Sequence, residues 1–295
     1  MTATQLSSAA GNAKTSGVRS RRRRARHPIS FAGAIICCVL WAVPIYWMLN
    51  TSFKTRDHIT STTPQFFPVP FSFGNYADAF TKPGFLSSLL NSLVVSLGVV
   101  IVSIVLGFLA SAAVSRFRFF GRRAIMVAIL AVQMIPGGAL LIPLFLSFKS
   151  LGLLNSYWGL GLAYVSSVLP FSIWVLRGFF LNLPIEIEEA AKIDGAGTAR
   201  ILRSVYFPLV LPGLISTSVF AFIAAWNDYI TAYVMLKDQS KYTLPVWLVS
   251  FSTNEGTDYG GLIAASVLFA LPVVIFFMIV QRNLVSGMSA GAVKG

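Results

Sequence analysis

Charge is scarce in this 295-residue chain, and negative charge is scarcer than positive. Only 11% of residues are charged, and ten Asp and Glu stand against twenty-three Lys and Arg. A soluble globular domain carries about 25% charge, so that class is excluded. With 56% hydrophobic residues, the composition is that of an integral membrane protein. Cysteine is nearly absent. Cys37 and Cys38 are adjacent inside an apolar run, which offers neither a disulfide framework nor metal-ligand spacing and leaves a packing role. Histidine is as rare: His27 and His58 both fall outside the apolar runs. With no acid pair or nucleophile–base set in view, an intramembrane enzyme is disfavoured. There is no G-x-x-x-x-G-K-[ST] sequence and no Gly-Lys dipeptide at all. Without a phosphate-cradling loop the chain is not expected to hydrolyse ATP or to hold a cofactor of its own.

What is present is long and apolar. Six stretches, approximately Ile29–Leu49, Ser88–Val114, Ala124–Phe148, Tyr157–Leu176, Leu209–Leu236 and Gly261–Val280, each reach the roughly 20 residues needed to cross a bilayer. The expected fold is therefore an all-α integral membrane protein with six transmembrane helices. Residues 1–28 lack a periodic apolar face and end in an Arg-rich run, which predicts a disordered basic tail. That run is a topology anchor or, alternatively, a nucleic-acid or localisation signal. The first apolar stretch is too long for the hydrophobic region of a signal peptide and is read as a span. Six spans put both termini on one side. Seventeen Lys and Arg then fall on that side and six on the other. The positive-inside rule makes the rich side cytoplasmic, so the basic charge is accounted for without nucleic acid.

Prolines and glycines interrupt several spans, most densely at "MIPGGALLIP" (Met134–Pro143). Such breaks suit a moving or solute-lining bundle, or else mark ordinary kinks. The outer segments Thr51–Ser87 and Lys237–Gly260 are polar and aromatic, and suit either a docking partner or plain connection.

The inner segment Arg177–Phe207 is different. Pro184 suits a first helical turn, and Glu186, Glu188 and Glu189 follow where the helix dipole favours anions. Asp194-Gly195 is a helix stop, and Thr198 is the expected N-cap of a second short helix that leads to Pro208 and the fifth span. Small residues, Ala190, Ala191, Gly195, Ala196 and Gly197, lie beside the carboxylates of Glu189 and Asp194. This composition fits docking into a basic pocket, or an amphipathic loop resting on headgroups.

"EAAKIDG", followed nine residues later by "VYFP", resembles the E-A-A-x-x-x-G-x9-I-x-L-P loop of ABC-importer permeases. Glu189, Ala190, Ala191, Gly195 and Pro208 match it, while Val205 and Phe207 are mild apolar departures. "NTSFK" (Asn50–Lys54), "NSL" (Asn91–Leu93), "WNDY" (Trp226–Tyr229) and "GMSAGAVKG" (Gly287–Gly295) extend the likeness to the MalG-type carbohydrate permeases over residues 29–295.

The resemblance implies a type I importer permease domain whose loop, about residues 177–208, is a coupling helix seated in a cytoplasmic ATPase. Glu189, Ala190, Ala191, Asp194, Gly195 and Pro208 would form that contact, and Gly291, Ala292, Val293 and Lys294 a second one. It implies as partners a MalF-like second permease, two ATPase copies that bind ATP and Mg, and an extracytoplasmic sugar-binding protein. The setting would be the bacterial inner membrane. Trp226, Asn227, Asp228 and Tyr229 form a polar–aromatic patch that suits either a sugar pathway or an anchor near the outer face. The solute is expected to be a di- or oligosaccharide, with glycerol phosphate or another small polar solute as the alternative. An ion-coupled secondary transporter is disfavoured because Asp228 is the single acid within the spans.

Overall fold

The computed structural model describes residues 28–291, with side chains from 31 to 281. The segment expected to be a basic disordered tail lies outside the described residues, as do Ala292, Val293 and Lys294. The chain divides into two units, the first ending at Tyr46 and the second beginning at Trp47. Within the first unit the described chain is the apolar part of helix α1 (Pro28–Ser52).

The second unit is almost wholly helical. Short helices α2 (Arg56–Ile59) and α3 (Gly74–Thr81) precede α4 (Phe85–Arg116). Then come α5 (Arg122–Gln133), α6 (Gly137–Ser150), α7 (Tyr157–Leu181) and α8 (Ile185–Ile193). One turn, α9 (Thr198–Arg200), runs through a π-helical segment (Ile201–Tyr206) into α10 (Phe207–Asn227). The remainder is α11 (Ile230–Met235), α12 (Leu244–Leu248), a hairpin of β1 (Ser252–Thr253) with antiparallel β2 (Gly256–Thr257), and α13 (Tyr259–Gly291).

Among the described residues five helices are long and apolar enough to cross a membrane. The third expected span is broken where the prolines and glycines of Met134–Pro143 were expected to interrupt it, and the bent pair α5–α6, counted as one span, brings the number to six. Ala124–Phe148 is not one helix: α5 and α6 meet at a 103° bend. Pro136 has no N–H to continue α5 and disfavours the helical region for the residue before it, and the helix stops at Gln133. The fifth expected span, Leu209–Leu236, is also shortened, here without a proline at the break. It ends at Asn227, and Asp228 is extended (φ −70°, ψ 122°) before α11 begins.

The core is made by α4, α7 and α10 packing on one another, with α13 against α10. Apolar side chains gain little from leaving lipid for a protein interior, so close approach of small residues carries the association. Ser88, Ser92, Ser96, Ser103, Gly107 and Ser111 lie on the buried face of α4, among Val95, Val99, Val100 and Phe108. A Cβ on Gly107 would lie 3.4 Å from the Leu176 side chain, and one on Gly213 of α10 would lie 2.6 Å from the Phe179 ring.

At one end, the chain after α1 is pinned by polar side chains. Asn75 donates to the carbonyls of Ser52 (3.0 Å) and Lys54 (2.7 Å), and Asn50 and Lys54 both donate to the carbonyl of Gln65. Lys54 also sits 4.6 Å over the Trp47 ring, and burial lowers its pKa. Asn91 donates to the Ser240 and Tyr242 carbonyls and accepts from the Tyr157 hydroxyl. "NTSFK" and "NSL" therefore act as fasteners of loop to helix.

Candidate functional site

The opposite end of the unit carries the polar loop. A buried layer of Phe108, Leu176, Phe180, Ile201, Tyr206 and Val210 forms its floor, and Ala191 and Ala196 rest on that layer. Helix α8 begins after Pro184, which is its N-cap and not part of its first turn. It ends as expected at Asp194-Gly195. Gly195 has φ +79°, its N–H donates to the Lys192 carbonyl (3.0 Å), and the Ala196 N–H donates to the Ala191 carbonyl (2.9 Å). This pair of bonds is the Schellman turn, and it satisfies carbonyls that the helix end leaves open.

Thr198 is not the N-cap of the next helical segment. Gly197 takes that position, and Thr198 is the first helical residue. Nor is there a separate second helix, because Thr198–Asn227 is continuous. Pro208 lacks the N–H that an α-helix would direct to residue 204, and the wider π turn that ends at Tyr206 absorbs the mismatch.

The six expected coupling residues divide. Glu189, Ala190, Asp194 and Gly195 share one exposed knob. Ala191 is half-buried on the floor, and Pro208 is exposed beside the π turn. Two residues were not singled out from sequence. Ile193, an apolar side chain on the knob, is 86% exposed. Its signal was present, as the one large apolar residue in "AAKIDG". Glu188 was expected only as a first-turn anion, yet it turns inward.

The Glu188 carboxylate accepts a hydrogen bond from the Tyr206 hydroxyl and one from Lys192 Nζ at 2.7 Å. Arg116 Nε, at the last residue of α4, lies 4.0 Å away. Arg116 also donates to the carbonyls of Phe180 (2.9 Å) and Leu183 (3.0 Å), and its guanidinium lies 5.1 Å from the Tyr206 ring centroid. Burial would raise the Glu188 pKa, but the hydrogen bonds from Lys192 and Tyr206 and the charges of Lys192 and Arg116 together hold it below the ordinary 4.5.

Deeper in the unit, a cavity of about 610 Å³ opens where the α5–α6 elbow faces α7 and the α10–α11 junction. Gln133, Tyr164, Ser166, Ser167, Asp228 and Thr231 give it polar groups. Asp228 Oδ1 accepts from Tyr164 Oη (3.1 Å), the Thr231 N–H (2.9 Å) and the Ala232 N–H (3.2 Å), and Oδ2 accepts from Thr231 Oγ1 (3.1 Å). The acid thus caps α11 and ties it to α7, which is the anchoring role, while it borders the cavity.

The expected polar–aromatic patch is corrected, because its four residues are not brought together. The helix ends at Asn227 and splits them. Trp226 is fully buried, stacks on Phe222 and Phe269, and donates to the Phe269 carbonyl at 3.1 Å. Asn227 is exposed outside the cavity lining, and Tyr229 stacks on Tyr233. Of the expected second contact, Gly291 ends α13 and the other three residues lie outside the described ones. The described residues hold no group of three or more His, Cys, Asp or Glu placed to bind a metal.

Comparison with known proteins fits this architecture. Residues 103–290 match the family described as binding-protein-dependent transport system inner membrane component. The chain is 40% identical over 262 residues to the diacetylchitobiose uptake system permease protein DasC of Streptomyces coelicolor, covering 89% of this chain and 95% of that one. It is 34% identical over 255 residues to the trehalose transport system permease protein SugB of Mycobacterium tuberculosis, covering 86% and 92%. Among solved structures it is similar to a chain of a bacterial ABC transporter involved in import of the acidic polysaccharide alginate. There the TM-score is 0.76 at 25% identity, covering 88% of this chain and 97% of that one. The chain therefore belongs to the family of binding-protein-dependent transport system inner membrane components, as a multi-pass permease of the inner membrane.

Proposed function

We propose that this chain is the permease subunit of a carbohydrate importer driven by ATP that a separate subunit hydrolyses. The observation that carries the reading is the knob itself. Glu189, Ala190, Asp194 and Gly195 stand exposed with Ile193, on a turn whose backbone is fixed by two hydrogen bonds. Small residues let a partner approach the backbone, the acids meet basic residues, and the isoleucine fills an apolar pocket. An ATPase subunit that binds ATP and Mg is the partner this reading requires, in two copies, with a second, MalF-like permease completing the pathway. Pro208 and the chain end Gly291–Lys294 are secondary contacts in the same scheme.

The knob end also carries Arg116, Arg118, Arg122, Arg123, Arg177, Lys192, Arg200 and Arg203, which supports a cytoplasmic placement for it and for both termini. An extracytoplasmic binding protein would then deliver solute at the far end, where the pinned outer segments lie. Three related systems name saccharides, namely diacetylchitobiose, trehalose and alginate. Among its described lining residues the cavity has one acid and no Lys or Arg. That lining favours a neutral sugar over an anion such as glycerol phosphate.

Truncating or reversing one partner of a desolvated charge pair costs about 2–5 kcal/mol, an affinity loss of about thirtyfold or more. Glu189→Lys is therefore expected to insert in the membrane at normal levels but to lose ATPase co-purification and sugar uptake. Normal uptake by that variant would overturn the docking assignment.

A further inference from the structure

Glu188 and Glu189 are neighbours in sequence and point to different tasks. Glu189 is exposed on the knob, whereas the Glu188 side chain is 15% exposed and gathered under it. Its partners come from separate elements. Tyr206 belongs to the π turn that feeds α10, and Arg116 is the last residue of α4. Arg116, itself 11% exposed, holds the end of α7 through the carbonyls of Phe180 and Leu183. One carboxylate and one guanidinium thus join the knob helix to all three helices of the core.

We infer that Glu188, Arg116 and Tyr206 form a clasp that passes displacement of α8 into α4, α7 and α10, so that Glu188 is a positioning residue for transport and not part of the ATPase contact. Two observations favour a working part over a static tie. Among the described residues Arg116 Nε is buried with no hydrogen-bond partner, 4.0 Å from Glu188 Oε2. A carboxylate shift of about 1 Å would bring it to charge-assisted hydrogen-bond distance. The groove beside the π turn, lined by Phe108, Ala199, Leu202, Arg203 and Phe207, leaves room for α9 and the π segment to move against α4. The observed arrangement leaves the Nε–H unused, and the inferred second one would bind it, which together would make the two-state element that a coupling device needs.

The inference rests on the permease reading above, and the test separates the two. The complete complex, with second permease, ATPase and binding protein, is reconstituted in proteoliposomes. Diacetylchitobiose, trehalose and an alginate oligosaccharide serve as probes. Glu188→Gln keeps the side-chain shape without the charge, and Tyr206→Phe keeps the ring under Arg116 without the hydroxyl. The expected result is unchanged ATPase co-purification with sugar imported per ATP hydrolysed reduced about fivefold or more in Glu188→Gln, and reduced less in Tyr206→Phe. A merely structural tie would lower yield, or slow import and hydrolysis together, and leave the ratio at the wild-type value. An unchanged ratio in either well-assembled variant overturns the clasp, as does loss of the ATPase from Glu188→Gln. Wild-type complex that binds no ATPase or imports none of the three sugars overturns the permease reading instead.

Discussion

Gly195 and Glu188 show how much of the loop depends on single side chains. At φ +79° any residue with a Cβ is strained, by about 1–3 kcal/mol. Gly195→Val is expected to lower the unfolding temperature of the purified protein and weaken ATPase co-purification. Among the described residues nothing lies within 4 Å of the Cβ it would add, so the effect is conformational and not steric. A variant that unfolds and binds like wild type would show that the turn is not rigid. The stop at Gly195 was legible because Asp-Gly after a helical run permits few other backbones. The division of labour between Glu188 and Glu189 was not. Adjacent positions lie about 100° apart around a helix, and only the placement of Arg116 and Tyr206, far away in sequence, decides which of the two turns inward.

At the scale of elements, the apolar runs were read well because bilayer thickness sets their length. Their interruptions were read as breaks without direction. The prolines of "MIPGGALLIP" mark where α5 ends, but the 103° turn and the cavity beside it depend on α7 supplying the facing wall. The "WNDY" patch failed for a related reason. It assumed one continuous helix, whereas Asp228 leaves α10 to cap α11. Contact between α7 and α10 depends on Gly213, whose added Cβ would stand 2.6 Å from the Phe179 ring. Gly213→Val should destabilise the bundle by about 1–3 kcal/mol, seen as a lower unfolding temperature in detergent. Phe179→Ala in the same chain should recover part of the loss. No recovery would mean that the two helices meet elsewhere.

At the largest scale, the unit from Trp47 onward has a polar knob at one end, pinned loops at the other, and a cavity at the elbow between them. The charge balance, apolar lengths and loop motif made the spans and the knob legible in sequence, whereas the cavity, the pinning of the outer loops and the internal wiring required coordinates. The central claim is that force from ATP hydrolysed in another subunit enters through the knob. The most direct measurement replaces Ile193, 86% exposed on the knob, with a photocrosslinking phenylalanine analogue in the assembled complex in membranes. Irradiation is predicted to join this chain to the ATPase subunit as the main adduct. A complex that retains its ATPase yet yields only lipid adducts, or none, would contradict the account.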